Sequence, residues 1–109
     1  MRPRLELLVT LAGLVAFAAG AGRAADGADL FTQHCAPCHG PDGKARTPAG
    51  KKLGAKDLSG SKLADADIEK QILAGTKDAK GNERMPSFQA KLAADEVAAL
   101  VAFVKTFRR

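Results

Sequence analysis

Both cysteines and both histidines of this 109-residue chain fall in one run, His34-Cys35-Ala36-Pro37-Cys38-His39. Such a cluster can support several chemistries. A disulfide between Cys35 and Cys38 is one, and a C-x-x-C redox dithiol is another. A structural zinc site normally takes four Cys or His ligands, and His34 would have to be crowded in as the fourth. The remaining chemistry is covalent haem attachment. Two thiols add to the haem vinyl groups, and the histidine directly after the second reaches the iron. The unbroken order C-x-x-C-H favours this last reading. The second thioether leaves the chain at the edge of the iron, whereas a dithiol has no need of His39.

An iron held by one imidazole has a second face to fill. The chain has two methionines, and Met1 heads the N-terminal segment, which leaves Met85 in Arg84-Met85-Pro86-Ser87-Phe88. A lone Met is ordinarily a flexible core filler. Met85, however, lies in a loop-like stretch between a Gly/Asn/charged segment and the next helix. Pro86 stiffens the backbone behind it, which suits a loop that presents a sulfur. Met85 is therefore the candidate sixth ligand. His34, four residues before Cys38, is expected to be exposed or partly buried, a titrating group near the haem edge if it has a role.

The segment that precedes this motif differs from the rest of the chain. Arg2 and Arg4 open it, Leu7 to Ala19 form an apolar run, and Ala19-Gly20-Ala21 is an A-x-A site. This is the layout of a secretory signal peptide. The apolar run is shorter than the ~20 residues of a membrane span. We expect residues 1–25 to be a signal peptide cleaved between 21 and 25, and residues 26–109 to form one domain in the periplasm, without stable membrane insertion. From Asp26 on there are 14 Lys plus Arg against 11 Asp plus Glu, so the formal charge is +3, below the +5 of the whole chain. That mild charge, with no interleaving of aromatic and basic residues, gives no support to nucleic-acid binding. The same part of the chain has four Phe and no Tyr or Trp. A domain of this size with so few large side chains is marginal by itself, and a cofactor would complete its core.

Three helices must position the motif. Asp26 is a plausible N-cap for the first, with Asp29 placed to suit the helix dipole. Leu30, Phe31, His34, Cys35 and Cys38 follow at helical spacing up to a stop at Gly40-Pro41. Residues 41–63 read as one irregular loop, long for a compact domain unless it packs on a cofactor, with Leu53 and Leu58 as its contacts. The second helix is expected near Asp65 to Ala74, capped by Asp65 and ended by Gly75. The third is expected from about Ala94 to Phe107, with Val97, Leu100, Val101 and Val104 as its apolar stripe.

C-A-P-C-H-G near the front, R-M-P-S-F near the back and a terminal helix after it resemble the class I c-type cytochromes, small monohaem proteins of bacterial periplasms. The resemblance covers nearly the whole chain after the signal peptide. It implies an all-α cytochrome c fold, three or more helices and long loops around one covalent haem c, held through Cys35 and Cys38. His39 and Met85 would be the axial ligands. It implies crossing first and last helices, with Gly27 and Phe31 meeting Leu100 and Phe103. A missing side chain at Gly27 has a physical reason, since it lets a second backbone approach.

The chain also departs from that pattern. Relatives often have A-P-x-L before the second helix, with a backbone carbonyl near the Pro accepting the His Nδ1–H. Here Ala55-Lys56-Asp57-Leu58 matches it, with Lys56 in place of Pro, and Pro48 marks a second candidate region. Ala93 stands where a Ser or Thr cap is usual, though Glu96 is in place. With no Tyr or Trp, Gln71, Ser87 and the loop lysines are the candidate replacements near the haem propionates and the Met sulfur.

With both axial positions filled, the iron offers no site to a substrate. The expectation is an electron-transfer protein rather than an enzyme. It would be a monomer moving one electron between a membrane quinol-oxidising complex or dehydrogenase and a terminal oxidase or reductase. Lys44, Lys51, Lys52, Lys77, Lys80 and Arg84 would partly ring the exposed haem edge and steer acidic redox partners. The alternatives are a dedicated electron-exit subunit of one periplasmic dehydrogenase, and a ligand-sensing haem protein with a labile Met85.

Overall fold

A computed structural model describes residues 25–109. The expected signal peptide, apart from its last residue, lies outside the described residues. The first helix starts as its cap dictates. The Asp26 carboxylate accepts the Ala28 and Asp29 N–H groups at 2.9 and 3.3 Å, and α1 runs over Gly27–His34. The single helix expected to continue to Gly40 is instead two. Cys35 interrupts the helical pattern, and α2 (Ala36–His39) restarts with Pro37 in its first turn. Pro37 has no N–H to give to the turn before it, so a helix can resume at that point but not run through.

The region 41–63 is not one irregular loop. Thr47 caps a third helix, α3 (Pro48–Leu53), by accepting the Gly50 N–H at 3.0 Å. Pro48 stands at the first helical position, and Gly54 closes the helix at φ 68°. These are the favoured start and stop residues of a helix, and they act locally where apolar residues are too sparse to show a periodicity. A single 3₁₀ turn follows at Leu58–Gly60, anchored by the Asp57 carboxylate on the Ser59 N–H at 2.9 Å.

The next helix, α4, spans Asp65–Ala74 as expected and stops at Gly75, but its cap is Ala64 rather than Asp65. Asp65 and Asp67 lie inside the first turn, where a carboxylate favours the dipole without accepting an end N–H. A short antiparallel hairpin then replaces the loop expected around Met85. It pairs β1 (Thr76–Lys77) with β2 (Glu83–Met85), and Thr76 stands opposite Met85. The last helix, α5 (Ala94–Lys105), ends two residues before the expected Phe107, where the Thr106 hydroxyl donates to the Phe103 carbonyl at 2.6 Å. Its start has half a capping box. The Glu96 side chain accepts the Ala93 N–H at 3.0 Å, while Ala93 offers no side-chain oxygen in return.

The core is where α1 and α4 lie against α5. Phe31, Ile68, Ile72, Phe88, Leu92, Val97, Leu100, Val101 and Val104 are all buried. Gly27 lies against α5 so closely that a Cβ there would overlap the Ala99 carbonyl and the Phe103 side chain. Phe31 packs on Phe103 and Phe107 with ring centroids 5.4 and 5.0 Å apart. Tilted aromatic contacts at such distances add to simple burial. Among the described residues, no helix is long and apolar enough to cross a membrane.

Candidate cofactor site

α2 is short, yet with its N-cap Cys35 it sets three candidate site side chains at once. Cys35, Cys38 and His39 all line one cavity, with His34 beside them. The α2 backbone is held from outside by α3. The Thr47 hydroxyl lies 2.8 Å from the Cys38 carbonyl and 2.9 Å from that of Pro37, within reach of both as a donor. The same oxygen accepts the Gly50 N–H, so one side chain caps α3 and ties it to α2. Gly50 is buried against the Cys38 carbonyl, with no room for a Cβ. Thr47 and Gly50 were not singled out in the sequence. Their signal was the Thr-Pro start of α3.

His39 is oriented by one bond. Its Nδ1 lies 2.9 Å from the Lys56 carbonyl and donates to it. The carbonyl at Lys56 thus takes the role, and Pro48 does not. Replacing Pro by Lys costs nothing in acceptor chemistry, because every residue carries a backbone carbonyl. With Nδ1–H committed, the lone pair is on Nε2, and a donated Nδ1–H raises its basicity as a ligand. Burial lowers the His39 pKa, and the bond to Lys56 partly opposes that shift, so the ring is kept neutral and able to coordinate. Burial also pushes the Cys35 thiol up to about 11, with the neighbouring Cys38 adding to the shift. As a free thiol Cys35 is a poor candidate for the low-pKa nucleophile of a redox dithiol.

Met85 reaches the same cavity at the end of β2. Its backbone is fixed by Gly75, where a Cβ would overlap the Met85 carbonyl and the Pro86 and Ser87 backbone. The Ser87 hydroxyl donates to the Leu73 carbonyl, and the Phe88 N–H bonds to the Ile72 carbonyl at 3.0 Å. The Met85-Pro86 segment is therefore pinned to the end of α4.

The other expectations are placed as follows. Leu53, Leu58 and Gln71 all line the cavity, whereas the Ser87 hydroxyl is spent on Leu73. His34 is half-buried, with its ring edge-on to Phe88 at 5.8 Å. Lys51, Lys52, Lys77 and Lys80 are exposed and Lys44 is half-buried. Of the six proposed steering cations, Arg84 alone lines the cavity.

The donor set fits a haem better than a bare ion. Among the described residues, no three Cys, His, Asp or Glu side chains come together as a metal cluster. The cavity, about 200 Å³ and open to solvent on one side, is walled by side chains such as Phe31, Ile68, Leu100 and Val104. A large apolar macrocycle has matching walls there, two thiols to bond and an oriented imidazole.

Comparison with known proteins agrees. Residues 22–104 match the family described as "Cytochrome C oxidase, cbb3-type, subunit III". The chain is 34% identical over 79 residues to cytochrome c6 of Microcystis aeruginosa, covering 72% of this chain and 90% of that one. Among solved structures it resembles the KustC0563 c-type cytochrome at 39% identity, with a TM-score of 0.66, over 77% of this chain and 99% of the other. A chain of the Kuenenia stuttgartiensis reducing HAO-like protein complex Kustc0457/Kustc0458 shares the fold, with a TM-score of 0.62 over 75% of this chain and 41% of that one, at 24% identity. The chain thus belongs to the cbb3-type subunit III cytochrome family, as a small class I c-type cytochrome with covalent haem c that transfers electrons rather than catalysing a reaction.

Proposed function

We propose that Cys35 and Cys38 form the two thioethers, that His39 and Met85 are the axial ligands, and that the protein is a periplasmic one-electron carrier. One observation carries this reading. An imidazole with its Nδ1–H committed to Lys56 and the chain's one internal methionine line a single apolar cavity. The bound haem supplies an iron that changes oxidation state by one electron, with His/Met ligation favouring the reduced form. The protein's part is to hold and to shield. Lys56 holds the imidazole plane, Gly75 and Ser87 hold the sulfur in place, and Phe31, Leu100 and Val104 exclude water. Two protein ligands leave no coordination site for a substrate, which suits electron transfer.

Residues 1–25 act in this reading as a signal peptide, and residues 26–109 as the exported domain. The donor is a membrane quinol-oxidising complex or dehydrogenase, and the acceptor a terminal oxidase or reductase. The exposed lysines Lys51, Lys52, Lys77 and Lys80 steer acidic partners.

The test begins with the exported protein. Its mass should equal that of the cleaved chain plus one haem, and the Cys35→Ala/Cys38→Ala double variant should carry none. The ferric protein should show the long-wavelength charge-transfer band of a thioether-ligated haem, and Met85→Ala should abolish it. Carbon monoxide binding by the wild-type ferrous protein would overturn the carrier reading in favour of a ligand sensor.

A further inference from the structure

Haem is a dicarboxylate as well as a macrocycle. A carboxylate brought to the edge of an apolar cavity needs a donor in place of water. No Asp or Glu lines this cavity, and its two permanent cations are Lys56 and Arg84. The Lys56 side chain is exposed and, among the described residues, has no hydrogen bond or ion pair that would fix it.

Arg84 is held in place. It sits in β2, directly before Met85, with its side chain 45% exposed at the cavity rim. One terminal nitrogen lies 3.2 Å from Asp78 Oδ2, and the other donates to the Lys52 carbonyl at 3.5 Å. Both anchors are themselves fixed. Asp78 Oδ1 accepts the Lys80 and Asn82 N–H groups, each at 2.9 Å, and Oδ2 accepts the Asn82 amide at 3.2 Å. Lys52 belongs to the last turn of α3, where carbonyls lack helical partners and attract cations. A guanidinium has five N–H donors in a planar fork, and these contacts occupy two. Arg84 therefore spans from the hairpin to α3 with its plane oriented and, among the described residues, no partner on its other three donors. As an exposed ion pair the Asp78 contact contributes little stability. Its effect is to orient the guanidinium.

We propose that Arg84 receives a carboxylate of the bound haem, positioned by Asp78 and the Lys52 carbonyl, and that its charge raises the reduction potential. The proposal rests on the haem reading above. Asp78 and Arg84 act with opposite signs, because a cation near the iron favours the reduced state and an anion the oxidised state.

The experiment uses the holoprotein with Arg84→Gln, Arg84→Lys and Asp78→Asn. Resonance Raman spectra report the propionate bending band, and redox titration at fixed pH and salt gives the midpoint potential. The Met-ligation band is followed in each variant. Arg84→Gln should shift the bending band and lower the potential while the Met-ligation band persists. Arg84→Lys should restore most of the potential but only part of the band position. Asp78→Asn, which keeps an oxygen for the turn, should raise the potential. An unchanged bending band in Arg84→Gln overturns the proposal, and so does loss of the Met-ligation band with the bending band unmoved, which would make Arg84 a latch for β2 alone. A wild-type protein without haem or without the Met-ligation band would instead sink the underlying haem reading.

Discussion

The helix junction and the cavity wall are built on different principles. Where α1 and α4 meet α5, side chains do most of the work, although Gly27 also lets α1 approach the Ala99 carbonyl. Phe31 and Leu100 are almost wholly buried, at 1% and 0% exposure, and the aromatic rings of Phe31, Phe103 and Phe107 close on one another. Around the cavity, side chains form the walls, but backbone sets the positions of Cys38, His39 and Met85. Carbonyls of Cys38, Lys56 and Leu73 accept from side chains, and Gly50 and Gly75 let one backbone segment touch another. The wall is precise, but one of its faces is meant for the cofactor. This chain thus gives most of its packing to the junction and the setting of Cys38, His39 and Met85 to the wall, with Phe31, Ile68, Leu100 and Val104 belonging to both.

The sharpest way to break the junction is Phe31→Ala, which should cost about 3–5 kcal/mol in denaturant unfolding of the holoprotein. The Met-ligation band of the surviving folded fraction should persist, because Phe31 walls the cavity without holding the Met85 backbone. Next comes Gly75→Ala in the wall. The added methyl meets backbone, and φ at this position is +67°, so strain and overlap together should cost about 2–3 kcal/mol. Its distinguishing result is partial loss of the Met-ligation band, an effect that Phe31→Ala should not show. If the two variants had the same spectral signature, the division between the regions would be wrong.

Smaller changes sharpen the contrast. Thr47→Val keeps the shape but removes the α3 cap and the tie to α2, so a loss of about 1–2 kcal/mol is expected by chemical unfolding. Ala93→Ser would supply the missing half of the α5 capping box and should stabilise by about 1 kcal/mol, with unaltered haem spectra. Lys105→Met removes the 2.9 Å contact with Asp65 between α5 and α4. That pair is solvent-exposed, so unfolding should shift by less than about 1 kcal/mol, and less still at high salt.

Much of this was open to reading in one dimension, and for a physical reason. Covalent attachment imposes a fixed local order on Cys35, Cys38 and His39, so the motif needs no tertiary knowledge to be seen. Helices α4 and α5 announce themselves by apolar spacing and, for α4, by Gly75, because a helix repeats every 3.6 residues and ends where its hydrogen bonds do. Thr47-Pro48 and Gly54 did mark α3, but six residues cannot display a periodicity, and the segment reads as a loop. The hairpin was hidden for a related reason. Two- and three-residue strands have no alternation to detect, and their pairing depends on Asp78 bonding to groups two to six residues away.

What the order of residues determined alone was the chemistry that near neighbours in the chain can perform, together with the helices that declare themselves by period and cap. Only the folded chain decided which carbonyl receives the His39 ring, which glycines make room for the Cys38 and Met85 backbone, and that Arg84 reaches α3. Those are contacts between backbone groups that every residue possesses, or between residues far apart in the chain. Residue identity carries almost no trace of them until the chain is closed on itself.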